Sequence, residues 1–439
     1  QVYDYVRQCG EGVWEVNLFS KRQQFLVRRL GGEVRVFAPW SAERSTAIQV
    51  EVLPGVGGGE WEVELRAFES TAPISWGECV SFDAVVREVE REFEEWLRRS
   101  PVVLEEYAGG RELAAYVQWA ALVGPCDRLK REGMLMSKNW MVNVWSWDHC
   151  FNAIALAAGQ SELAWEQWAL PFDYQNRWGA LPDCVNDYDV VWNFTKPPVH
   201  GWALREMIAR GVELGKEQVK QAAEWLELWT EWWLRYRDDD GDGLPQYNHG
   251  NDSGWDNATL FAHGMPVEGP DLAAYLVVQM EVVADLWDRL GKGERAEGWR
   301  ERAKGLVGRL LEHSVRGGGF VAPRAGDHAV AEEGDCLLRF LPLLLGARLP
   351  EGLRRNLVQG VMEAGRFLTE YGLATESPRS RLYVADGYWR GPIWAPSTLL
   401  LVSGLRACGE RELAEEVGRR FCRMVVRSGC AENFDALTG

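Results

Sequence analysis

From about Arg111 onward the chain alternates between stretches with helical spacing of apolar residues and loops stopped by Gly, Pro or Asp. No other feature constrains the fold as strongly. Helices are expected near 111–123, 148–159, 162–173, 200–213, 216–236, 269–290, 294–312, 332–345, 351–363, 393–407 and 411–427, where apolar side chains recur on one helical face. These are eleven segments. A toroid of helix pairs six units round needs twelve, and the twelfth would begin beyond Gly439. No close repeat at a short fixed period is present, which argues against a regular solenoid.

The first part of the chain reads differently. Val13–Leu18, Phe25–Leu30, Val34–Phe37, Ile48–Val52 and Trp61–Leu65 are short, several of them alternate apolar with polar residues, and Gly/Pro clusters such as Pro54–Gly59 separate them. A period of two means strands. Ala84–Arg99 then turns to a charged helical pattern. The expected organisation is a β-rich region over 1–83, a linker helix over 84–110 and a helical catalytic region over 111–439.

Charge and cysteine usage narrow the partners and the compartment. With 48 basic against 65 acidic residues the formal charge is −17, and no long Lys/Arg run occurs, so neither nucleic acid nor an anionic membrane is the expected partner. Nine cysteines are scattered without a C-x-x-C pair. A disulfide framework or a structural zinc site is therefore not expected, and a reducing, cytoplasmic location is. No apolar run is long enough to span a bilayer. The 23 tryptophans stand out: an indole face suits the apolar face of a pyranose, although most Trp residues in any protein are packing residues.

The motifs with chemical content fall in the loops. Asp256, in Ser253-Gly-Trp-Asp-Asn257, and Glu432, in Glu432-Asn-Phe434, are carboxylates in aromatic surroundings. Glycoside hydrolysis uses such a pair, an acid for the departing oxygen and a second carboxylate across the sugar. Trp147-Asp148 opens a helix; Asp148 suits sugar hydroxyls beside the Trp147 wall, or serves as a helix N-cap. A long excursion through Trp178–Asp183, Asn186–Asp189 and Trp192–Gly201 precedes the helix at His200, and loops of that length are uncommon without a role. In Tyr388-Trp-Arg-Gly-Pro-Ile-Trp394, Arg390 either contacts sugar oxygens or a carboxylate, or braces a tryptophan by cation–π stacking. Asp238, Asp240 and Asp242 alternate as in a calcium loop, but His249 stands where an EF-hand supplies Glu. A structural calcium there competes with a plain acidic turn. Nucleophile-elbow, zincin, P-loop and dinucleotide fingerprints are absent.

With Trp147-Asp148, Ser253–Asn257, Tyr388–Trp394 and Glu432–Phe434 in that order, the chain resembles glycoside hydrolase family 63 and, more broadly, its clan relatives, including family 37 trehalases. Lys196-Pro-Pro198 also falls where these relatives have a Pro-Pro turn. The resemblance covers roughly 110–439. It implies a mainly α protein, an (α/α)6 barrel with a small N-terminal β-rich region, and inverting exo-α-glycosidase chemistry. Carried over, Asp256 is the general acid, Glu432 the general base, and Trp147, Asp148, Arg390 and Trp394 surround the nonreducing sugar. Trp255 is expected to line the same pocket. Short bacterial members, some of which cleave glucosylglycerate or mannosylglycerate, look most similar. The expected substrate is a small α-glucoside or α-mannoside, and the chemistry requires no cofactor. A noncatalytic carbohydrate-binding protein on the same barrel is the alternative from another class; a phosphorylase is disfavoured because Glu432 would repel phosphate.

Overall fold

The computed structural model describes residues 3–55, 57–68, 80–137, 141–331 and 333–439; Cys79 lies outside them. The chain divides into two compact units, Gln1–Glu92 and Phe93–Gly439.

The first unit is built from β1 (Tyr5–Gly10), β2 (Val13–Leu18), β3 (Gln23–Gly31), β4 (Glu33–Phe37), β5 (Trp40–Ser41), β6 (Arg44–Ser45), β7 (Gln49–Leu53) and β8 (Glu62–Phe68). An antiparallel sheet takes the order β1-β2-β3-β8, while β4 pairs with β7 and β5 with β6. Val16, Leu26 and Val27 are its buried side chains, together with Glu15. That acid is satisfied by the Tyr5 hydroxyl and the Gln24 amide, both at 2.5 Å, and by Arg7. Helix α1 (Phe82–Arg99) spans the unit boundary.

The second unit is helical: α2 (Ala108–Ala121), α3 (Asp148–Leu156), α4 (Ser161–Ala169), α5 (His200–Ala209), α6 (Lys216–Tyr236), α7 (Pro270–Arg289), α8 (Gly293–Ser314), a 3-10 segment Leu337–Arg348, α9 (Glu351–Met362), α10 (Ala395–Ala407) and α11 (Arg411–Ser428). Burial sorts them into two layers. In α7 nearly every side chain is buried, whereas α6, α8 and α11 bury one stripe. A helix apolar on all sides must be covered all round, and an amphipathic one covers it. Accordingly α3, α5, α7, the 3-10 segment and α10 pack in succession, with α4, α6, α8, α9 and α11 against them.

The helix expected at 332–345 is the largest departure. Its run of leucines is apolar all round and so gives no phase. Pro342 lacks the amide N–H that helical bonding needs, and Gly346 (φ 54°, ψ −123°) ends the helical path. The result is a tighter 3-10 segment.

Polar pins fix the layers. Gln279 of α7 has no exposed surface; its Oε1 accepts the Gly201 N–H at 3.0 Å and its Nε2 donates to Thr230 Oγ1 at 3.0 Å, joining α5, α6 and α7. Gly201 is needed for that approach, since a Cβ there would lie 2.6 Å from the Gln279 Cα.

The connections are asymmetric. Those leading into the buried helices are long (122–147, 170–199, 237–269, 315–336 and 363–394), and those leading out of them are short (157–160, 210–215, 290–292, 349–350 and 408–410). The motifs singled out in the loops lie in these long connections, except Glu432–Phe434, which follows α11. Among the described residues no helix is long and apolar enough to cross a membrane, and the described cysteines form no disulfide.

Candidate active site

Four loop segments converge through contacts that can be followed residue by residue. Asp256 follows a 3-10 turn (Gly250–Ser253) that ends in the left-handed Gly254 (φ 73°). A side chain at Gly254 would drive its Cβ to 2.6 Å from the Trp147 ring, so glycine is what lets the Asp256 loop lie against Trp147. The next joint is Asn257: its Oδ1 accepts the Trp389 N–H at 2.9 Å and its Nδ2 donates to the Gly387 carbonyl at 3.1 Å. At the third joint, Ile393 and Phe434 exchange backbone hydrogen bonds at 2.8 and 3.0 Å. That places the segment holding Glu432 beside the Tyr388–Trp394 loop.

An aromatic column runs through the centre. Trp255 stacks on Trp389 at 4.8 Å between centroids, and Trp389 on Trp394 at 4.0 Å with only 9° between planes. Trp147 meets Trp389 at 6.2 Å, and Tyr388 sets its edge on Trp394 at 5.0 Å. Trp255 was expected to line the pocket; it has no exposed surface and instead backs Trp389. The Nε of Arg390 is buried without a hydrogen-bond partner.

The carboxylates differ in environment. Burial raises the Asp256 pKa, and the nearby Asp183 adds to the rise while Lys196 opposes it. The end of the Asn251 side-chain amide lies 3.1 Å from both Asp256 carboxylate oxygens, and with its nitrogen on that side it donates to both. Asp148 is pushed up to about 7, chiefly by burial, with Lys196 again pulling down and Asp256 and Asp183 pushing up. It is the first residue of α3 and provides no cap; the cap position belongs to Trp147. Glu432 is exposed. The Tyr388 phenol ties the group together: burial raises its pKa first, and the charges of Asp256, Glu432 and Asp148 raise it further. Three carboxylates from three loops therefore act on one hydroxyl.

Lys196 is the cation of the cluster. It is buried; its Nζ lies 3.1 Å from Asp183 Oδ1 and donates to the Asn251 carbonyl at 2.9 Å. Asp252, also buried, accepts the N–H groups of Thr195, Asn248 and His249 at 3.0–3.2 Å, locking the long excursion onto the Asp256 loop.

The model of the mannosylglycerate hydrolase MGH1-like glycoside hydrolase domain matches residues 141–439, well over half the chain and all four converging segments. The chain belongs to this glycoside hydrolase family. Its curated relatives include the mannosylglycerate hydrolase MGH1 of Selaginella moellendorffii, 22% identical over 67% of this chain and 76% of the relative. The glucosylglycerate hydrolase of Mycolicibacterium hassiacum is 23% identical over 68% of this chain and 87% of its own. Among solved structures, a family 63 mannosylglycerate hydrolase from Thermus thermophilus, in complex with glucose, superposes with a TM-score of 0.65 at 20% identity, covering 75% of this chain and 94% of that one; the two share a fold.

In this MGH1-like chain the three aspartates expected to hold calcium come together, their oxygens within 4.8 Å of one another. Backbone groups already occupy most of them. Asp238 accepts from Gly241 and Gly243, Asp240 from Asp242 and Gly326, and one oxygen of Asp242 from Leu244. The sequence reading missed Trp389, Tyr388, Asn257, Asn251, Asp183 and the buried cation Lys196. Most of these lay inside quoted motifs, but only long-range pairing distinguishes them from their neighbours.

Proposed function

We propose that this protein is an inverting, exo-acting glycosidase that hydrolyses a small α-glycoside, with a glycosylglycerate as its substrate class. The observation carrying the reading is the meeting of the Asp256 and Glu432 segments on the Tyr388–Trp394 loop, through the Asn257 hydrogen bonds to Trp389 and Gly387 and the Ile393–Phe434 backbone pair. The names of the curated relatives supply the glycosylglycerate class.

The chemistry follows from the environments. Asp256, with its raised pKa, keeps a proton above the ordinary carboxylate range and delivers it to the glycosidic oxygen as the bond to the anomeric carbon breaks. Glu432 takes a proton from a water that attacks the opposite face, inverting the configuration; room for that water requires the two carboxyl groups to stand roughly 6.5–9.5 Å apart with substrate bound. Each turnover leaves Asp256 ionised and Glu432 protonated, and exchange with solvent resets both. Asp148 and the free Nε of Arg390 are suited to the hydroxyls of the nonreducing sugar, and Trp147 and Trp394 to its apolar face. Calcium is a structural option in this reading, and no step uses it.

In the same reading the helices form an (α/α)6 barrel whose long loops gather at one end to make a pocket closed at its inner side. A closed pocket takes one terminal sugar and a short leaving group. The deciding assay incubates the protein with α-mannosylglycerate, α-glucosylglycerate and a long α-glucan, following the anomeric protons by NMR. Release of the β-anomer first from a glycosylglycerate supports the proposal. Initial release of the α-anomer, or mid-length oligosaccharides from the glucan, refutes it.

A further inference from the structure

Away from the candidate active site, the segment 242–268 that carries Asp256 is gathered at its two ends. Asp242 lies in the acidic turn and Glu268 just before α7. Tyr247 pairs with Val267, Val267 pairs with Arg324, and the Glu268 N–H donates to the Pro323 carbonyl at 2.9 Å. This brings up the Arg324–Ala329 turn, which bears His328, while the last turn of α8 supplies His313. One donor atom from each of Asp242, Glu268, His313 and His328 falls within a common span of 4.8 Å.

Glu268 is the decisive member. Its side chain is 2% exposed, and neither carboxylate oxygen has a hydrogen-bond partner among the described residues. A buried carboxylate left in that state is costly unless a cation compensates it. Among the described residues the candidate is His328, whose Nδ1 stands 3.8 Å from Glu268 Oε2, too far for a hydrogen bond. Asp242 Oδ2 is likewise buried and unbonded, 3.2 Å from His313 Nδ1. Two ligands bound at about 2.0–2.1 Å to a tetrahedral ion are separated by about 3.3 Å, so this contact has the spacing of neighbouring metal ligands.

We propose that Asp242, Glu268, His313 and His328 form a structural site for a divalent transition metal of the zinc class. Two imidazoles and two carboxylates match the nitrogen and oxygen preference and the charge of such an ion, whereas calcium takes six to eight oxygens. The ion would clamp both ends of the Asp256 segment to α8 and the 324–329 turn, stabilising the scaffold without entering the hydrolytic chemistry.

The test uses the full chain, stripped with EDTA and dialysed free of it. Zinc chloride is titrated in competition with a chromophoric chelator, calcium chloride is titrated separately by calorimetry, and cobalt(II) provides a visible spectrum. One zinc per chain, cobalt bands of a low-coordinate nitrogen-containing site and a rise in Tm with zinc are expected. His313→Ala, His328→Ala and Glu268→Gln should each weaken zinc binding by about tenfold or more. The two histidines are partly exposed, so their replacement leaves the fold intact even if Glu268→Gln does not. Zinc binding that is absent, or that is unchanged in both histidine variants, overturns the proposal. So does stoichiometric calcium that depends on Asp238 and ignores the histidines.

Discussion

Asn257 grips Trp389 through the backbone, accepting its N–H at 2.9 Å while donating to the carbonyl of Gly387 at 3.1 Å. One side chain thus sets the distance between Asp256, its immediate neighbour, and the aromatic column. Asn257→Ala removes two hydrogen bonds of about 1 kcal/mol each. A loss of about 1–2 kcal/mol in urea unfolding is expected, with a fall in kcat larger than the change in KM because the proton donor loses its register. A raised KM with kcat unchanged would show that the grip matters only for binding.

Replacement of Asp256 by Asn removes the proposed proton donor and keeps the shape. Hydrolysis of a glycosylglycerate should fall by about 10²–10⁴-fold while binding, measured calorimetrically, stays within a few-fold. In the wild type the rate should decline as pH rises through the raised pKa of Asp256, since only the protonated form donates. A variant that turns over normally would mean that another group is the acid.

Glu432→Gln tests the base. Because the residue is exposed, stability should change by less than about 0.5 kcal/mol, whereas kcat should fall by about 10²–10⁴-fold. In Glu432→Ala, small anions such as azide are expected to restore cleavage by entering the vacated side, giving a glycosyl azide of inverted configuration. A product of retained configuration would contradict the assignment.

Lys196 lowers the pKa of both Asp256 and Asp148. With Lys196→Met both should rise, moving the alkaline limb of the pH–rate profile to higher pH. The same change leaves buried Asp183 without its ion-pair partner, at an expected cost of about 3–5 kcal/mol. An alkaline limb that stays in place in the folded variant would remove Lys196 from the electrostatics of the site.

Asp148 gives a pH dependence of stability with a definite sign. Its folded pKa of about 7 exceeds the ordinary 3.8, so its contribution is fully present below about pH 4 and is lost as pH rises through 7. Asp148→Asn should flatten Tm between pH 4 and 8, by an amount on the order of a few kcal/mol at most. Wild type and variant showing parallel Tm curves would mean that Asp148 is already ionised in the folded protein.

The residues show which features sequence can reveal. The buried and amphipathic helices announced themselves because apolar spacing directly encodes the covered face; α6, expected at 216–236, spans Lys216–Tyr236. Strand β1 was not seen, its side chains being at most half-buried, and a run such as Leu337–Leu345, apolar except for Arg339, carries no phase to distinguish an α-helix from a 3-10 segment. Asp256, Glu432 and Trp394 could be picked out because their motifs are locally unusual. Lys196 could not: its importance comes from Asp183 beneath it and Asn251 across from it, pairings that exist only once the loops meet. Trp255 was misplaced for the same reason, since nothing local tells a tryptophan that faces a ligand from one that backs another tryptophan.

The column Trp255–Trp389–Trp394 also makes the site its own reporter. Indoles held in fixed register couple their electronic transitions, and such coupling gives a signed far-ultraviolet circular dichroism doublet sensitive to small rotations of either ring. A sugar settling against Trp394 would alter that doublet without any attached label. Occupancy of this site could then be followed in catalytically dead variants, where turnover offers no signal.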